Sequence, residues 1–166
     1  MERSWAMDVF AAVSPDEAHE IQSLITLNVV SCLAWGKMAE RTADADVRWL
    51  CAGLAQWRDE CANELQELLC EAGESGGCSL APPRTPGGIR SSEMLEGAAL
   101  ARALADVLEQ DAGVERKYRE LLGNVSATFD GVITRQWKRC RELSKAGADS
   151  WPARRGRGQC VKATRE

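Results

Sequence analysis

The 166-residue sequence predicts an all-α fold: a four-helix bundle made of two antiparallel helical hairpins joined by a long crossover loop. Three observations carry that expectation. Four segments of similar length repeat apolar residues at spacings of three and four, which puts each set on one helical stripe. Within each pair of segments the break is only two to four residues, so the two members must lie antiparallel and adjacent. Between the pairs lies a glycine- and proline-rich stretch long enough to cross the whole bundle.

The first stripe runs Ile21, Leu24, Ile25, Asn28, Cys32, Trp35, Ala39. Ser14-Pro15-Asp16-Glu17 starts it well: Ser14 as N-cap, Pro15 at the first helical position, and Glu17 completing a capping box. A helix over about 15–41 follows. Two aspartates in Thr42–Asp46 suit the next N-terminus. The second stripe, Leu50, Leu54, Trp57, Cys61, Glu64, Leu68 with Arg58 beside it, predicts a helix over about 45–72 that ends at Gly73. Residues 73–92 hold Pro82, Pro83 and Pro86 among several glycines and read as a connection without regular structure. Extended, this loop spans roughly 60 Å, whereas a helix over 15–41 is ~40 Å long. Ser91 or Ser92 caps a third helix over about 93–122, with stripe Leu100, Leu104, Val107, Asp111, Val114, Tyr118, Leu121. Gly123 stops it. Asn124 caps a fourth, about 125–147, with stripe Val125, Phe129, Val132, Gln136, Cys140, Leu143. Residues 1–14 are then an N-terminal extension and 148–166 a basic flexible tail.

Apolar residues at 45% and charged residues at 28% match a soluble globular domain, and the length suffices for one buried core. The net charge of −4 does not point to nucleic acid. Charge is uneven, however: Arg154, Arg155, Arg157, Lys162 and Arg165 face only Glu166 in the last stretch. That basic tail could touch RNA or an acidic surface, but beyond Trp151 it has no aromatic platform for stacking bases. Seven cysteines (32, 51, 61, 70, 78, 140, 160) include no CxxC, and several fall on apolar stripes as small hydrophobes. This is no disulfide framework and implies a reducing, cytoplasmic setting. Cys70 and Cys78 flank the glycine-rich loop and could oxidise. The N-terminus, with Glu2 and Asp8, makes a poor signal peptide, and no window is apolar enough to span a membrane.

With helices and loop placed, the chain resembles the ferritin-like superfamily over about residues 16–146, and within it a bacterial family of small bundles of unassigned function. Leu24-Ile25 and Trp35-Gly36-Lys37-Met38-Ala39-Glu40 match that family's Leu-Ile…aromatic-Arg-x-Ala-Ala-Glu pattern. The stretch Leu54-Ala55-Gln56-Trp57-Arg58-Asp59-Glu60-Cys61-Ala62-Asn63-Glu64-Leu65 resembles its Leu-Ala-x-x-Arg-x-x-Phe-Ala-x-Glu-Leu. Glu109-Gln110-Asp111 with Tyr118-Arg119 resembles its Glu-x-Gly-Glu…Tyr-Arg. The departures fall on the metal ligands. The family's acidic residue in the first helix corresponds to Cys32, its third-helix carboxylate to Asp111, and its fourth-helix histidine to Gln136. Di-iron bundles need about four carboxylates and two ExxH pairs. This sequence has no ExxH, and its one histidine, His19, lies in the first turn of the first helix.

Two readings of the mid-bundle residues follow. In the leading one, Asn28, Arg58, Asp111 and Gln136 form a structural polar layer. Arg58 pairs with Asp111, the amides satisfy what remains, and the layer sets helix register where a metal site once was. Arg58 pointing to solvent with Asp111 unpaired would count against it. In the alternative, Cys32, Glu60, Glu64 and Asp111 hold iron or manganese, in metal storage or stress handling. Convergence of Glu60, Glu64 and Asp111 inside the bundle favours metal; divergence favours the polar layer. Nucleophilic catalysis lacks a histidine within reach of Cys32, Glu60 and Glu64 one turn apart read as a solvated rim, and Gly87-Gly88 lacks the GK[ST] of a phosphate loop. The expectation is a non-enzymatic, partner-binding or structural bundle without cofactor, associating with an unknown protein or with itself. Trp5, Trp49 and Trp151, outside or at the edge of the stripes, are candidate interface aromatics.

Overall fold

A computed structural model of the chain describes residues 13–73 and 93–150, with side chains as far as 143. It is all-helical: α1 Pro15–Arg41, α2 Ala45–Glu71, α3 Gly97–Leu121 and α4 Ala127–Ser150. Among the described residues there is no strand, only an isolated bridge between Thr42 and Leu95. The helices pack in the cyclic order α1, α2, α4, α3.

Local chemistry fixes most of the ends. Ser14 is the N-cap of α1, its Oγ accepting from the Glu17 amide at 3.1 Å. The Glu17 side chain does not turn back to close a capping box. Its Oε1 instead accepts from the Ser126 amide at 2.5 Å, tying the start of α1 to the turn before α4. Asp44 caps α2, its Oδ1 accepting from Asp46 and Val47 at 2.9 and 3.1 Å. Past the end of α2 the Gly73 amide donates to the Cys70 carbonyl at 3.2 Å, and Gly73 then takes a left-handed φ of 88°, which turns the chain out of the helix.

Three ends differ from the sequence expectation, the C-terminal one being that of α4, which runs through Gly147 to Ser150 instead of stopping near 147. α3 begins at Gly97, not 93, and its N-cap position, Glu96, makes no side-chain cap. Leu95 is drawn out of the helix because its amide donates to the Arg41 carbonyl at 2.6 Å, beside the buried Thr42. Ser91 and Ser92, the expected caps, lie outside the described residues, as do residues 1–12 of the N-terminal extension, the rest of loop residues 74–92 and the chain after 150. Asn124 does not cap α4. Its side-chain amide donates to the Glu120 carbonyl at 2.8 Å and so closes α3. The amides of Phe129 and Asp130 go to the Ser126 carbonyl, so α4 starts from Ser126.

Contacts along neighbouring helices run in opposite order. Up α1, Glu20 meets Lys117, Ser31 meets Asp111 and Arg41 meets Leu95. Down α2, Arg58 meets Cys140, Cys61 meets Gln136 and Glu64 meets Arg135. The core divides in two. One cluster takes residues from every helix, including Ile21, Leu24, Leu65, Tyr118 and Phe129. The other joins Trp35, Met38, Cys51 and Leu104. Between them lies a layer of buried polar side chains.

Candidate functional site

Arg58 is the largest fully buried side chain among the described residues, and the site is built around it. Its neighbours come from the other three helices. Nε and Nη2 donate to the two oxygens of Asp111 at 2.9 and 2.6 Å, a bidentate fork that suits the planar guanidinium. Nη1 donates to Asn28 Oδ1 at 3.2 Å, and Nη2 also reaches Cys140 Sγ at 3.3 Å. The Trp57 ring lies against the cation, its centroid 4.4 Å from the guanidinium carbon.

Asp111 is gathered from two sides. Besides Arg58, its Oδ1 accepts from Ser31 Oγ at 2.5 Å and from Trp35 Nε1 at 3.2 Å. Its side chain is 16% exposed, so the ion pair is closed off on the arginine side and nearly so on the aspartate side. Asn28, fully buried, donates to the Leu24 carbonyl at 3.1 Å and to Tyr118 OH at 3.0 Å. Tyr118 donates to Gln136 Oε1 at 2.7 Å, and Gln136 Nε2 donates to Glu64 Oε2 at 2.8 Å. Arg135 pairs with the other Glu64 oxygen at the surface. The bonds thus run unbroken from Trp35 and Ser31 through Asp111, Arg58, Asn28, Tyr118 and Gln136 to Glu64 and Arg135.

Burial by itself would lower the pKa of Arg58, but the hydrogen bond and charge of Asp111, with Cys140 behind them, raise it above the ordinary arginine value. The cation is therefore fixed. Burial pushes the Cys61 thiol up to about 11, and lifts Cys140 and the Tyr118 phenol above their usual ranges. Burial, then the nearby Asp59, raises Cys32 as well. These groups stay protonated and neutral. Among the described residues, Cys32, Cys51, Cys61 and Cys140 are free thiols. Cys70 is disulfide-bonded, one of the two cysteines that the sequence marked as able to oxidise.

The four residues expected in a polar layer, Asn28, Arg58, Asp111 and Gln136, come together here, with Gln136 joined through Tyr118. The four expected under the metal reading do not. Glu60 is exposed and bonded to Gln56 Nε2 at 2.9 Å. Glu64 is held by Arg135 and Gln136, and Asp111 has both oxygens on Arg58. Cys32 is half-buried on α1, and after burial the charge that raises its thiol pKa is that of Asp59, not of these carboxylates. No group of three His, Cys, Asp or Glu able to hold a metal ion occurs among the described residues. A fixed guanidinium at the same level would repel a cation, so the residues present do not fit a di-metal centre.

Several members of the network were not singled out as layer residues in the sequence, among them Ser31, Trp35, Tyr118, Glu64 and Arg135. Ser31 and Trp35 hold Asp111, and Tyr118 links three helices. Tyr118 and Trp35 sit on the apolar stripes, where their polar ends were the available signal. Ser31 lies three residues after Asn28, on the same face, and nothing else in the sequence marks it.

Of the candidate interface aromatics, Trp49 is 81% exposed, while Trp5 and Trp151 lie outside the described residues. No described helix is long and apolar enough to cross a membrane. Comparison of the chain with protein-family models, curated proteins and solved structures finds no match.

Proposed function

We propose that this chain is a non-enzymatic ferritin-like bundle, bacterial and cytoplasmic, whose di-metal centre has been replaced by a polar layer built on an ion pair. Its role is structural or partner-binding. The observation that carries this reading is the bidentate Arg58–Asp111 pair, which puts a permanent positive charge at mid-bundle and takes both oxygens of the carboxylate. The expected architecture, two antiparallel hairpins α1–α2 and α3–α4 joined by a crossover loop, is part of the same proposal. Its support is the short turn between α1 and α2, which sets those two antiparallel, together with the opposite order of contacts along α1 and α3; α2 and α3 then point the same way. Four free thiols fit a reducing compartment; the disulfide at Cys70 pulls the other way.

The test is the metal content of the purified, untagged protein by elemental mass spectrometry, after growth with iron, manganese and zinc. No stoichiometric metal is expected, together with full helicity and a cooperative melt. Near-stoichiometric iron or manganese that disappears in Asp111→Ala would replace this reading with metal storage or stress handling.

A further inference from the structure

The face shared by α2 and α4 is divided by charge. A groove of about 630 Å³ runs along it. Glu60, Glu64 and Glu67 line the α2 wall, Arg135 and Arg139 line the α4 wall, and the half-buried Trp57 contributes its ring. Lys138 lines an adjoining groove on the α4 side. Glu64 is neutralised by Arg135, and Arg139 by Glu142. Among the described residues, Glu60, Glu67 and Lys138 have no ion-pair partner of opposite charge. Because Arg58 meets Cys140 and Cys61 meets Gln136, Glu60 stands level with Lys138 and Arg139.

We infer that this face binds a second copy of the chain, in an isologous dimer whose two-fold axis runs along the bundle. The inference rests on reading the chain as a partner-binding bundle. A two-fold axis parallel to the helices lays α2 of one copy on α4 of the other without changing level. Each acidic wall then meets a basic wall, and Glu60 of one copy faces Lys138 and Arg139 of the other. A two-fold axis across the helices would set α2 on α2, acid against acid, at a cost. The charge pattern therefore selects one axis of the two. A face with both signs in adjacent strips is self-complementary in the way an isologous contact requires. The Trp57 ring supplies an aromatic of the kind enriched in interfaces.

The full chain is tested by sedimentation equilibrium at about 0.05 M and about 0.5 M salt, a range over which surface charges become screened. A dimer that weakens at high salt is expected. Glu60→Lys/Glu67→Lys and Lys138→Glu/Arg139→Glu are each expected to raise the dissociation constant at least about tenfold, since like charges then oppose each other. Helicity by circular dichroism checks that both variants fold. Mixed in equal amounts, the two variants restore the dimer, because each reversed wall now meets its opposite. A monomeric wild type at all concentrations, or a dimer that survives both variants, overturns the inference. So does a mixture that remains monomeric. A metal-loaded protein would overturn the proposed function instead, through a separate readout.

Discussion

Arg58 has the most at stake of any single residue. Desolvating a guanidinium is expensive, and its fork to Asp111 offsets that cost only because both groups stay together. Removing one partner leaves the other buried and alone. Arg58→Met is therefore expected to lower stability by about 3–5 kcal/mol. Arg58→Met/Asp111→Leu should recover much of that loss, though Ser31 and Trp35 would then lack their acceptor. Urea unfolding of the three chains decides it, and a single variant within about 1 kcal/mol of wild type would show that the pair is not buried as described. The thiols make a second claim. Burial pushes Cys51 and Cys61 from an ordinary 9.0 up to about 11. Between those values the unfolded chain has lost thiol protons that the native chain keeps, so the unfolded state binds fewer protons and stability falls as pH rises. The contribution is complete below about pH 9 and is lost through about pH 11. Urea midpoints should drop across that window in wild type, and drop less in Cys51→Ala/Cys61→Ala; equal slopes would remove the thiols as the cause.

At the scale of the element, Glu17 stands out. As N3 of α1 it has the capping-box identity, yet it spends its carboxylate on the Ser126 amide across the bundle. Ser14→Ala removes one local cap and should cost about 1 kcal/mol. Glu17→Ala removes a charge-assisted bond between two elements and should cost more, about 1.5–3 kcal/mol. Thermal melts of both variants rank them, and a smaller loss for Glu17→Ala would mean the inter-element tie carries no weight. The same residue shows what a sequence can and cannot convey. Stripe spacing and the signals at Ser14, Pro15 and Gly73 were legible because they depend on neighbours within one turn. The choice between a local and a distant partner for Glu17 depends on where α4 begins, and no local pattern encodes that. Leu95 is a similar case: Glu93–Glu96 looks helical, but a carbonyl on Arg41 claims its amide. In the layer, Arg58 and Asp111 were visible as charges on or beside apolar stripes. Ser31 was not, because a serine on a helix face looks the same whether or not a carboxylate waits opposite.

On the scale of the whole molecule, the polar layer parts two cores of unequal strength. Among the described residues the cluster on the Ile21 side draws twelve buried side chains from α1 to α4 and the segment before α1. The cluster on the Trp35 side draws four, from α1, α2 and α3. Buried apolar area is the main source of local stability, at about 25 cal/mol per Å², so the two halves should not open together. The Trp35 side should unfold in part while the layer and the Ile21 side stay shut, because the ion pair and the Asn28–Tyr118–Gln136 bonds close off the stronger half. Native-state hydrogen exchange resolves this. Amides of Leu24–Asn28, Leu65–Leu69 and Val114–Leu121 are expected to exchange only through global unfolding, with the full denaturant dependence. Amides of Trp35–Met38 and Leu100–Leu104 should exchange faster, with a weaker dependence on denaturant. Arg58→Met should narrow the gap by lowering the stronger half towards the weaker. Equal protection on both sides of the layer in the wild-type chain would mean that the bundle is one cooperative unit and that the layer divides nothing.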